Sequence, residues 1–202
     1  REQGRALQAA FNPHGEPMLK GYPWIPGAVS EVYAEGMAGA LGDFLRDPLF
    51  VSKVLGLSAD DAGIFLEMEK ERRLLQLRRL LLGMGIEFTI YVNPDADLDG
   101  RYRELAAKAL GVELDGPDAA LWTADPMLIS QPVHYQDLVL ARSVSADLHE
   151  KLRGLFGDGR LGSGKVAPWL IERCYAPGEM GTMQARLGAS IEGGFGFDAL
   201  LA

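Results

Sequence analysis

The sequence predicts an all-α fold, and three observations carry the prediction. Apolar residues recur at spacings of three and four through most of the chain, β-favourable runs are scarce, and Pro, Gly and Asn-Pro breaks fall between the periodic segments. The most β-favourable stretch, Phe88 to Val92, continues a helical pattern. No internal repeat or low-complexity segment interrupts the pattern. Many helices with short connections follow.

Arg1 to Phe11 (REQGRALQAAF) is rich in helix formers and is closed by Asn12, Pro13, His14 and Gly15. Residues 12–27 hold four prolines and three glycines, which predicts an irregular loop. The next helix is expected from about Ala28 to Leu45. Its small residues Ala34, Gly36, Ala38, Gly39, Ala40 and Gly42 would let neighbouring helices approach closely. Asp47-Pro48 breaks it, and a short helix is expected from Leu49 to Leu55. Ser58, with Asp60 and Asp61 behind it, starts a long helix that runs through Ile64, Phe65, Met68, Leu75, Leu82 and Ile86 to Val92. Asn93-Pro94-Asp95 ends it. Leu98 to Leu110 forms another, stopped by Gly111. A long helix is expected to open at Pro132 and reach Phe156. Gly157 to Gly164 is a turn-rich break, and helices are expected over Val166 to Cys174 and Gly178 to Leu187. Trp24, Trp122 and Trp169 read as core residues.

The 202 residues suffice for one helical domain spanning 1–202. Hydrophobic residues make up 48% and charged residues 24%, a globular balance, and the net charge is -8. That balance disfavours a nucleic-acid-binding surface, which needs clustered cations. Arg72, Arg73, Arg78 and Arg79 do cluster, but leucines interleave them at helical spacing, which reads as a solvated helix face. No apolar run approaches the ~20 residues of a membrane span. The single cysteine, Cys174, rules out an intrachain disulfide and fits a reducing, cytoplasmic setting. Its helical neighbours make it a core position. No signal peptide is visible, and because the chain opens on Arg1 rather than Met, native sequence upstream is expected.

The chemistry-bearing residues begin at the first position. Arg1-Glu2-Gln3-Gly4-Arg5 has the spacing of H-E-x-x-H with arginine at both histidine positions. In that motif residues i and i+4 share one helix face and hold one zinc, while the glutamate between them acts as general base. Glu31 follows Arg5 by 26 residues at the start of the next helix, as a third ligand requires. Glu35 lies one turn further, placed to support it. Gln131-Pro132-Val133-His134-Tyr135-Gln136-Asp137-Leu138 introduces the later long helix. Gly159-Arg160-Leu161-Gly162-Ser163-Gly164-Lys165 imitates a phosphate-binding loop, but Val166 follows and no strand precedes, so it reads as a turn. His14, His134 and His149 are too scattered to build a replacement zinc site.

Together these segments resemble the C-terminal half of the catalytic domain of the thimet-oligopeptidase and oligoendopeptidase group. They are similar, more distantly, to angiotensin-converting enzyme. The resemblance covers nearly the whole chain: R-E-Q-G-R-A-L stands where the family reads H-E-x-G-H-A-L, and Pro132-Val133-His134-Tyr135-Gln136-Asp137-Leu138 where it reads Pro-Val-Tyr-Tyr-Gln-Asn-Tyr. The Glu31 helix, the Asn93-Pro94-Asp95-Ala96-Asp97 break and Ala176-Pro177-Gly178 match as well. It implies a multi-helical, zincin-like (gluzincin) fold, of which this chain is the C-terminal part. It also implies zinc as the family metal, Arg1, Arg5 and Glu31 as former ligand positions, and Glu35 behind them. Glu2 becomes a vestigial general base, and His134 and Tyr135 become substrate contacts. Leu138 replaces a tyrosine that would stabilise the transition state, a loss of ~10²–10³ in rate for one such donor.

Guanidinium stays protonated and offers only donors, so it cannot bind zinc. No metal or other cofactor is therefore expected. An Arg–carboxylate network should fill the site, with Arg5 and Glu31 as the main two-pronged pair. The expected function is that of a catalytically inactive peptidase homologue with a peptide-binding or assembly role. The alternatives are a fragment of an active zinc oligopeptidase and a purely structural helical domain. A peptide or protein is the expected partner, with neither nucleic acid nor membrane. The family's other cleft wall is absent from these residues, so an apolar face should be covered by that N-terminal half or by self-association.

Overall fold

A computed structural model describes residues 2–20, 31–158, 160–192 and 196–201, all of them in helices, turns and loops, with no strand among them. The helices are α1 (Glu2–Phe11), α2 (Pro17–Lys20), α3 (Glu31–Asp43), α4 (Ala59–Val92), α5 (Leu98–Leu110), α6 (Met127–Ser130), α7 (Tyr135–Phe156), α8 (Val166–Leu170), α9 (Met183–Ile191) and α10 (Asp198–Leu201). The all-α expectation is met. Two compact units are formed, one from Arg1–Phe65 with Leu140–Ala202, the other from Leu66–Val139.

Local chemistry sets several helix ends. Ser58 accepts from the Asp61 N–H and donates to the Asp61 carboxylate, a reciprocal cap that starts α4. Asp97 accepts from Gly100 N–H at the head of α5. Gly111, at φ 67°, closes α5 in the left-handed conformation that glycine adopts without steric cost. Other ends differ from expectation. The helix expected at Gly178 begins at Met183, because Thr182 accepts from Ala185 N–H and so becomes its cap. The helix expected at Pro132 begins at Tyr135, behind a turn that holds Val133 at φ 62°. A 3₁₀ segment, Gly116–Ala124, was not foreseen.

In the first unit α3 is the central element. Its residues Val32 to Ala40 are all buried, as a helix without a polar face must be. Tyr33 and Met37 pack with Val144, Leu148 and Leu152 of α7, and with Leu170, Cys174 and Leu187. Each such fully buried side chain contributes about 1.5–3 kcal/mol. The small residues of α3 allow two close approaches: a Cβ on Gly36 would lie 2.6 Å from Val144 Cγ1, and a Cβ on Gly4 of α1 would lie 2.5 Å from Ala38 Cα. Cys174 is buried here, as expected, and its thiol is pushed up to about 12 by burial.

In the second unit Leu82, Ile86, Ala106, Ala119, Tyr135 and Val139 are buried. The Tyr135 ring lies against Gly83, where a Cβ would come within 2.3 Å of it. Trp122 is not a core residue; it is half-buried, and its indole N–H donates to Asp99 at 2.8 Å. Trp169, in the first unit, is half-buried and meets Phe156 edge-on. Trp24 lies outside the described residues. Arg72, Arg78 and Arg79 are exposed and Arg73 is half-exposed, as a solvated face requires. Of the apolar positions read along α4, Leu82 and Ile86 are buried, whereas Ile64, Met68 and Leu75 are exposed.

Candidate functional site

The close crossing of α1 over α3 at Gly4 and Ala38 fixes the position of the next residue, Arg5. Its Nη2 lies 3.3 Å from Glu31 Oε2 and donates to Glu35 Oε1 in a closer contact. Glu31 and Glu35 are one turn apart on α3, so both carboxylates reach the same nitrogen. The side chain of Glu35 is 3% exposed and that of Arg5 is 39% exposed. The two-pronged Arg5–Glu31 pair expected from the sequence is therefore not what forms. One nitrogen spans two carboxylates, Glu35 is the nearer partner, and Arg5 Nε is buried without a hydrogen-bond partner among the described residues. The half-exposed Arg5–Glu31 contact is worth about 0–1 kcal/mol, whereas taking Arg5 away from the buried Glu35 carboxylate would be the costlier loss. Arg1 and the Glu2 side chain lie outside the described residues.

As a set of metal donors this arrangement does not fit zinc. A protonated guanidinium occupies the space between Glu31 and Glu35, and it offers hydrogens where a metal needs lone pairs. Among the described residues no group of three His, Cys, Asp or Glu side chains could hold a metal.

The remaining expected site residues are in the second unit. Tyr135 is buried, and its hydroxyl donates to Asp125 Oδ2 in a short hydrogen bond. Burial, then that carboxylate, push its phenol far above the ordinary value, so it stays protonated. His134 and Leu138 are half-buried, and His134 Nδ1 is 3.7 Å from Asp137. The backbone here is held by a residue that sequence reasoning missed. Glu87 of α4 accepts from Val133 N–H at 2.7 Å and from Tyr135 N–H at 3.2 Å, and so caps α7 from another helix. A cap 46 residues away leaves no local signature.

Two further buried ion pairs of the first unit were also unforeseen. Arg160 meets Asp47 at 2.8 Å and His149 Nε2 at 3.0 Å, and Arg186 meets Glu179 at 2.8 Å with its guanidinium 4.4 Å above the Tyr33 ring. Burial, then the Arg160 charge, lower His149 below its ordinary value. Beside α1 there is an apolar cavity of about 420 Å³, lined among others by Leu7, Phe11, Leu41, Leu161, Ile171 and Tyr175. Its size is within the range of small-ligand sites.

No protein-family model matches the chain, and no curated protein or solved structure shows a significant match to it. No helix among the described residues is long and apolar enough to cross a membrane.

Proposed function

We propose that this chain is a catalytically inactive homologue of zinc oligopeptidases, with the C-terminal half of a gluzincin-like fold, that binds a peptide or protein segment without cleaving it. The observation that carries the reading is Arg5 Nη2 spanning Glu31 and Glu35 at the positions where the resemblance puts a zinc ligand and its support. With two neutral histidines the metal would bring about +2 to the site, and Arg1 with Arg5 brings the same charge with no Lewis acidity and no activated water. Glu2 then has no acidified water to deprotonate. Leu138 has no hydroxyl to offer an oxyanion, and the Tyr135 hydroxyl is already given to Asp125. No cofactor takes part in this reading. The apolar cavity beside α1 supports retention of a binding role, since it can accept an apolar side chain of a bound segment. The single cysteine, buried and free, fits a cytoplasmic setting.

The test is titration of the purified chain with a mixed pool of short fluorescent peptides, in zinc-supplemented and in chelator-containing buffer. The reading expects saturable binding that is indifferent to zinc, weakened by Leu41→Asp in the cavity wall, and no cleavage. Zinc-stimulated cleavage would show an active oligopeptidase fragment instead, and absence of binding would leave a structural helical domain.

A further inference from the structure

The second unit presents a helix face that its neighbours leave largely exposed. Along α4, Leu74, Leu77, Leu81, Met84, Phe88 and Tyr91 alternate at spacings of three and four, the a and d positions of successive heptads. The buried side of the same helix carries Leu82, Gly83, Ile86 and Glu87. On the seam, by contrast, Leu74 is 51% exposed, Leu81 39%, Phe88 67% and Tyr91 57%, while Leu77 and Met84 between them are partly buried. A packed helix normally hides its apolar stripe, so a seam this exposed over several turns marks an interaction surface.

We propose that this seam is the interface of a homodimer in which α4 packs antiparallel against α4 of a second copy. Three features select this occupant and this direction. The first is size. The exposed parts of the four named side chains amount to roughly 400 Å² per copy when a fully exposed large side chain presents ~150–250 Å². Doubled across the interface and increased by Leu77 and Met84, this approaches the ~1,200 Å² at which specific interfaces begin.

The second feature is layer composition. Antiparallel alignment sets Leu74 against Tyr91 of the other copy, Leu77 against Phe88, and Leu81 against Met84. Every layer then joins a leucine to a larger or more adaptable side chain, and the layers have similar volumes. Parallel alignment would stack Phe88 on Phe88 and Tyr91 on Tyr91 at one end and only leucines at the other.

The third feature is charge. Parallel alignment brings Arg73, at a g position, against Arg78, at the e position of the next heptad on the other copy, twice over. Antiparallel alignment removes both repulsions. It also carries the exposed Lys70, at the d position before Leu74, toward the exposed Asp95 just beyond the end of the partner's α4. The two-fold axis makes each of these contacts twice.

The test uses the full chain and does not depend on any peptidase-like role. Light scattering behind gel filtration is expected to give twice the chain mass. Phe88→Glu is expected to give a monomer with unchanged helical circular dichroism, because its side chain is exposed within the single copy. Direction is read from disulfide trapping, since Cys174 is buried and silent. A mixed pool of L74C and Y91C proteins should form covalent heterodimers under mild oxidation, while either protein alone should not. A monomer at every concentration, a dimer unaffected by Phe88→Glu, or L74C joining to L74C each overturns the proposal.

Discussion

Replacing Gly4 by alanine should destabilise the first unit, although the same change elsewhere in a helix stabilises. A Cβ at Gly4 would sit 2.5 Å from Ala38 Cα and 3.0 Å from Ala38 O. Both are backbone atoms of α3, so no side-chain rotation relieves the clash, and α1 must lift away from α3. Overpacking of this kind costs about 1–3 kcal/mol, and this geometry puts it at the upper end. Alanine returns about 1 kcal/mol of helix propensity over glycine. The net loss is about 2 kcal/mol, or about 4–8 °C in Tm for a chain of this size. Gly63 of α4 is the matched control, because a Cβ there meets nothing within 4 Å. Gly63→Ala should gain the propensity alone, about 1 kcal/mol. Thermal melts followed by far-UV circular dichroism measure both. If Gly4→Ala raises Tm as much as Gly63→Ala does, α1 and α3 do not cross at Gly4 and the placement of Arg5 has no support.

Gly83→Ala should cost about 2 kcal/mol in urea unfolding, because the Tyr135 ring is held from its far end by Asp125 and cannot move aside; a paired Tyr135→Leu change should recover part of the loss. His149 should make the fold acid-sensitive. Its folded-state pKa is lowered below 6.5, first by burial and then by Arg160, so the folded state binds fewer protons than the unfolded one. Its stabilising contribution is therefore complete above 6.5 and falls as pH drops below it, and His149→Asn should flatten stability against pH in that window. Cys174, with its thiol pushed up to about 12, should resist a thiol reagent at pH 8 in the native protein and react at once in denaturant; fast native labelling would contradict its burial.

What was legible in the sequence was whatever local chemistry encodes. Ser58 with Asp61, Asn93-Pro94 and Gly111 gave helix ends that the structure keeps, because caps and breakers act within a turn or two. The small residues of α3 gave its burial. Glu31, Glu35 and Arg5 were brought together as read, since the i, i+4 spacing on α3 and the short reach from α1 leave little freedom. What the sequence could not show was how one guanidinium is shared. That depends on where α1 crosses α3, which Gly4 and Ala38 decide. The start of α7 was misjudged because Pro132 favours a first helical turn, whereas Glu87 on a distant helix holds the residues after it in another conformation. Along α4 the sequence marks apolar positions from Ile64 to Ile86 but not which side of the helix each one faces. The exposed Leu74–Tyr91 seam emerges only once Leu82 and Ile86 are seen to face the interior.

The most direct measurement is zinc content by mass spectrometry after the chain is equilibrated with zinc and desalted, with peptide hydrolysis assayed on the same sample. The Arg5–carboxylate site predicts far less than one zinc per chain and no cleavage that a chelator abolishes. One tightly held zinc per chain, lost when Glu31 is replaced by Gln and accompanied by chelator-sensitive cleavage, would contradict it.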